Sequence, residues 1–131
     1  LSWFKHSPLF EIIKKISASK SKMMLTTDHG TIRVKSPVKV VGPKSTNSNM
    51  RYKVSKNLSY NKKDVYEALN PEQIGLPRNN LSSSFIFAKE NDFFIYPNNY
   101  HHFANLYNDT FQHGGISMEE MLIPYAFLTP K

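Results

Sequence analysis

The 131-residue chain contains no cysteine. That excludes a disulfide framework and any thiolate metal site, so a bound metal would have to be held by His, Asp or Glu. The same absence suits a reducing cytoplasm, which is the expected location. No apolar run is long enough to cross a bilayer and the first residues lack a signal-peptide pattern, so no membrane partner is expected. The chain opens on Leu1 rather than Met and is expected to begin within a longer protein. Disorder throughout is excluded as well, because 40% hydrophobic and 13% aromatic content is enough for a core.

A second absence is local. From Gly30 to Lys63 there is no Asp or Glu, yet nine basic residues: Arg33, Lys35, Lys39, Lys44, Arg51, Lys53, Lys56, Lys62 and Lys63. The rest of the chain carries eight basic and ten acidic residues, so the net charge of +7 belongs to one segment. Such a run is either a solvated loop or a field that draws phosphate-bearing partners. Tyr52 and Tyr60 lie within it, where they can stack on a base. Arg33, Lys35, Arg51 and Lys53 are the candidate substrate contacts, arginine offering paired donors to phosphate.

Periodicity supplies the elements. Ser7-Pro8 starts a helix whose apolar face is Leu9, Ile12, Ile13 and Ile16. Met23–Thr27 is an apolar run without alternation and reads as a buried strand of a parallel sheet covered by helices. From 31 to 41, alternation broken at Ser36-Pro37 predicts a two-stranded antiparallel excursion. Asn61–Leu69 reads as a short helix. Phe85–Ala88 and Phe93–Tyr96 read as a hairpin, and 97–108 as loop or helix. Ser117 and Glu120 have capping-box spacing, leading to a final strand at Leu122–Leu128 with Pro124 at its start or edge.

Two clusters carry chemistry. Asp28-His29-Gly30 follows a strand directly, at the carboxyl end where open α/β folds bind ligands. Gly30 allows the turn that aims two successive side chains at one place. A carboxylate with an imidazole suits zinc or manganese. His113-Gly114-Gly115 is the second cluster, a histidine exposed before a flexible loop and fixed by the helix start that follows. Either cluster alone is an ordinary turn.

Together, Met24-Leu25-Thr26-Thr27-Asp28-His29-Gly30 and His113-Gly114-Gly115-Ile116-Ser117-Met118-Glu119-Glu120 with Pro124 resemble the PglZ branch of the alkaline phosphatase superfamily. Trp3-Phe4, His6-Ser7-Pro8-Leu9, Thr31–Lys35 and Phe87-Ala88-Lys89-Glu90 are similar to PorX-like response regulators of type IX secretion. The resemblance implies a partial α/β/α alkaline-phosphatase-like sheet with an inserted, mainly antiparallel basic cap. Residues 1–30 would form the helix, strand and metal loop, 31–97 the cap, and 98–131 the second metal loop, helix and final strand.

It further implies that Asp28 and His29 bind one zinc ion of a two-metal site and His113 the other. The Thr or Ser nucleophile and the remaining ligands are not matched here, so these residues alone are expected to be weak or inactive. The implied activity is that of a phosphodiesterase or phosphatase acting on nucleotides or short oligonucleotides. The implied partners are a receiver domain of the same protein, a sensor kinase and a second copy in a homodimer. The other reading is a non-catalytic regulatory module binding nucleic acid or protein. His6, His101 and His102 are expected at the surface.

Overall fold

The computed structural model describes residues 1–78 and 84–131. Its first elements are α1 (Ser2–Lys5), α2 (Pro8–Ala18) and β1 (Met23–Thr26), followed by β2 (Ile32–Arg33), β3 (Ser36–Lys39) and β4 (Tyr52–Ser55). A 3₁₀ turn at Lys62–Asp64 leads into β5 (Val65–Ala68), and a second at Pro71–Ile74 precedes β6 (Ser84–Ala88) and β7 (Asp92–Ile95). Last come α3 (Tyr100–Tyr107), β8 (Phe111–Gln112), α4 (Met118–Met121) and β9 (Tyr125–Leu128). The chain is thus mixed α/β with small sheets, in two compact units: Leu1–Asp28 with Ile123–Lys131, and His29–Leu122. Among the described residues no helix is long and apolar enough to cross a membrane.

In the first unit, α2 begins as its sequence dictates. Ser7 caps it by accepting the Phe10 N–H, and Pro8 takes the first turn, where its missing donor costs nothing. Leu9, Ile13 and Ile16 are half-buried, while Ile12 stays exposed. β1 pairs antiparallel with β9, Met23 opposite Leu128 and Thr26 opposite Tyr125. The expected central strand of a parallel sheet is therefore, among the described residues, one half of an antiparallel pair. Its side chains also alternate: Met23 and Leu25 are half-buried, Met24 and Thr26 exposed. The expectation that the two strands share a sheet holds. Pro124 lies just before β9, and its carbonyl accepts a hydrogen bond from the Thr26 hydroxyl (2.8 Å).

The second unit is built on strands apolar on both faces. Phe85, Ile86, Phe87 and Ala88 of β6 are all buried, as are Phe93, Phe94 and Ile95 of β7. Such strands must be covered on both sides. β6 is the centre of an antiparallel sheet in the order β4-β6-β5, with Ile86 between Lys53 and Glu67. β7 pairs in parallel with β3, Val38 opposite Phe94. Phe93 and Ile95 pack with Ile32, Val34 and the aromatic face of α3, whereas Phe94 joins Val40, Val65 and Ile86. So β6 and β7 are not the expected hairpin. Each has a better partner elsewhere, and Met50 and Arg51 bond to both through Phe94 N–H→Met50 O and Ala88 N–H→Arg51 O.

The excursion expected at 31–41 is corrected for the same reason. β2 pairs antiparallel with β8, and β3 pairs parallel with β7, rather than with each other. The expected helix at 61–69 is only a 3₁₀ turn capped by Asn61, and Val65–Ala68 is a strand. The edge of β6 offered that segment a full ladder, which outweighs a modest helical preference.

Candidate functional site

Asp28 is exposed, two residues beyond β1 and the last residue of the first unit. His29, half-buried, opens the second unit. In that unit the two histidines far apart in sequence meet: the rings of His29 and His113 stack with centroids 3.8 Å apart and planes inclined by 12°. Among the described residues no group of three His, Cys, Asp or Glu side chains is gathered as a metal-binding cluster.

The stack has a consequence for ligation. A ring nitrogen's lone pair lies in the plane of its ring, so two nearly parallel imidazoles cannot both aim at one ion between them. Their lone pairs run instead in two planes separated by about the 3.5–4 Å at which two-metal hydrolases hold their ions. His29 Nδ1 is 2.8 Å from the Gly30 carbonyl, an acceptor, so Nδ1 carries the proton in that bond. In the neutral ring Nε2 then holds the lone pair. Orientation of a ligating histidine by its other nitrogen is the usual arrangement in metal sites.

Both histidines are held by Glu120. Its backbone carbonyl accepts the Gly30 N–H (3.0 Å), fixing the turn after His29. Its carboxylate accepts the Gly115 N–H (2.9 Å) and reaches back to the Ser117 N–H (3.2 Å), the Glu120 half of the expected capping box. It also takes Arg51 Nε (3.0 Å) and Nη2 (2.9 Å) in a forked pair. Arg51 donates its remaining arm to the Asp92 carbonyl. Asn49 completes the bracing, donating to the His113 carbonyl (3.1 Å) and accepting from the Arg51 and Tyr52 N–H groups. Burial would raise the Glu120 carboxyl, but the bonds from Arg51, Ser117 and Gly115 outweigh it and hold it below its usual value. Close approach explains two glycines. A Cβ on Gly30 would lie 2.0 Å from the Glu119 carbonyl oxygen, and one on Gly115 would lie 2.5 Å from Glu120 Oε2.

The four basic candidates divide. Arg33 is exposed and paired with Asp109 (2.5 Å), and Lys35 is exposed beside it in sequence. Arg51 is fully buried and its guanidinium braces the His113 loop through Glu120. Lys53 is also buried, its Nζ donating to the Asn47 carbonyl (2.8 Å) and lying 5.1 Å over the Tyr96 ring. Burial pulls its pKa down to about 8. His6, His101 and His102 are exposed. Sequence reasoning missed Asn49 and the bracing role of Glu120; only the capping-box spacing pointed toward the latter.

No curated protein matches the chain. Residues 4–127 match the family described as the BREX system PglZ alkaline phosphatase-like domain. The match spans both glycine-flanked histidine turns and nearly the whole sequence, and the chain belongs to the PglZ family.

Proposed function

We propose that His29 and His113 are imidazole ligands of a two-metal phosphoesterase site acting on nucleotides or short oligonucleotides. The stacked, parallel placement of these rings within a PglZ-family chain carries the reading. Zinc fits the donors, which are imidazoles with one tautomer already set by the Gly30 carbonyl. Asp28 joins the ligand set on the strength of the Asp-His-Gly motif. Two imidazoles and a carboxylate are fewer donors than two ions need, so further ligands and the nucleophile come from elsewhere in the full-length protein.

Cations held by His29, His113 and Asp28 would supply positive charge to stabilise displacement at phosphorus. The chain's own contribution is positional. Glu120, held by Arg51, keeps both histidine turns in place, and Arg33 on β2 and Lys35 just after it offer positive charge on the segment that leaves the first turn. The β1–β9 pair is read as part of an alkaline-phosphatase-like α/β/α sheet, since Met24, Tyr125 and Phe127 are 59%, 67% and 56% exposed, an apolar face suited to a covering layer. A PorX-like response regulator, with a receiver domain, a sensor kinase and a homodimeric state, is the proposed context, and cytoplasmic the proposed location.

The test is zinc analysis and dinucleotide hydrolysis by the full-length protein. His29→Ala and His113→Ala should each lower zinc content and abolish turnover while leaving the unfolding transition in place. Full zinc content and full activity in both variants would refute the reading.

A further inference from the structure

A cavity of about 420 Å³ opens in the second unit, within the size range of small-molecule sites. Neither His29 nor His113 lines it. Phe94, Tyr96, Phe103 and Tyr107 are its aromatic lining, Phe103 and Tyr107 coming from α3 where it packs against β7. Two positive groups interrupt that lining. Lys53 is 2% exposed, and of the three donors of its ammonium the hydrogen bonds account for one, to Asn47. The second is Lys44, at the exposed rim.

No Asp or Glu lines this cavity among the described residues. A buried ammonium beside a carboxylate-free apolar space is costly unless a counter-charge arrives. The aromatic side chains fit a flat ring, which stacks or packs edge-on with a gain beyond area alone.

We propose that this cavity binds a planar aromatic ring carrying one anionic oxygen group, the ring against the aromatic side chains and the anion toward Lys53 and Lys44. Two sources supply that chemistry, a nucleoside monophosphate and an aryl carboxylate. The segment that contributes Thr46 to the cavity also carries Asn49, which holds the His113 carbonyl, so occupancy would be felt at the His113 loop.

Isothermal titration of the full chain with adenosine 5′-monophosphate and with benzoate tests this, with adenosine, benzamide and inorganic phosphate as controls. At least one aromatic anion should bind about tenfold more tightly than its neutral counterpart and than phosphate. Binding of the nucleotide alone would assign a nucleotide site, and of benzoate alone an aryl-acid site. Lys53→Met should remove the preference for the anion, and Lys44→Ala, at an exposed position where folding is safe, should weaken it about threefold. The proposal is overturned if neutral and anionic ligands bind alike, if neither anion binds, or if Lys44→Ala and a folded Lys53→Met both keep the full preference.

Discussion

Glu120→Ala should destabilise the His29–Leu122 unit by about 3–5 kcal/mol. The side chains of Arg51 and Glu120 are 0% and 1% exposed, so water cannot replace either partner. Arginine stays protonated, and removal of the carboxylate leaves its charge buried without compensation. The Gly115 and Ser117 N–H groups lose their acceptor in the same step. Replacing both partners by apolar residues of similar size is far less damaging, because no charge is then stranded. Arg51→Met with Glu120→Leu should recover more than half of the loss. Urea unfolding followed by circular dichroism on wild type, Glu120→Ala and the double variant measures both effects. Acid supplies an independent axis. The folded Glu120 carboxyl lies below its unfolded value of about 4.3, so its contribution is complete above that pH and disappears as pH falls through the folded value. The gap between wild type and Glu120→Ala should therefore narrow in acid. A cost below about 1 kcal/mol at neutral pH, or a double variant no better than Glu120→Ala, would refute the account.

Other perturbations separate the remaining parts. Gly30→Ala forces a methyl against the Glu119 and Leu122 backbone oxygens, and Gly115→Ala against a carboxylate that Arg51 pins. Each should cost about 1–3 kcal/mol in the same urea assay and weaken zinc binding by the full-length protein. Lys53 loses its proton near pH 8 when folded but near about 10.4 when unfolded, so wild-type stability should rise with pH across that window. A pH series of urea midpoints should show this rise absent from Lys53→Met, whereas Tyr60, held up to about 12, acts at higher pH and equally in both proteins. Arg33→Ala breaks an ion pair whose partners are 56% and 53% exposed and should cost under about 1 kcal/mol. In the full-length protein it should raise KM for a dinucleotide more than for a small phosphoester; equal effects would assign Arg33 to the reacting phosphate or to folding.

The fold was legible where local rules decide the outcome. Ser7-Pro8 and the spacing from Leu9 to Ile16 specify α2, and Ser117 with Glu120 specifies the start of α4. Strand existence was equally readable for Phe85–Ala88 and Phe93–Ile95, which have no polar face to confuse the pattern. Strand pairing was not. A short charged turn between two apolar runs is compatible with a hairpin, and only the rest of the unit decides that β7 lies parallel to β3 while β6 receives β4 and β5. Val65–Ala68 was lost for a related reason: its strand state comes from the vacant edge of β6, a property of no residue within it.

The candidate site divides along the same line. His29 and His113 could be named because glycines beside a histidine mark a turn, and two such turns in this order resemble a known family. Their bracing could not. Arg51 and Glu120 lie 69 positions apart, and each already had a local explanation, one as part of a basic run and the other as a helix cap. Alternation at Arg51-Tyr52-Lys53-Val54 would ordinarily turn the charged positions outward. Here Tyr52 and Val54 pack with Phe85 and Phe87, and β4 is covered on its other face too, so Arg51 and Lys53 are carried inward. Once inside, each must be answered by a specific acceptor or counter-charge. Arg51 finds Glu120 and so ties β4 to the His113 loop, while Lys53 faces the aromatic cavity with one carbonyl bond. The acid-free composition of the 30–63 segment thus has two different structural meanings. Seven of its charges are exposed at the surface, and the two that fold inward require partners from outside the segment.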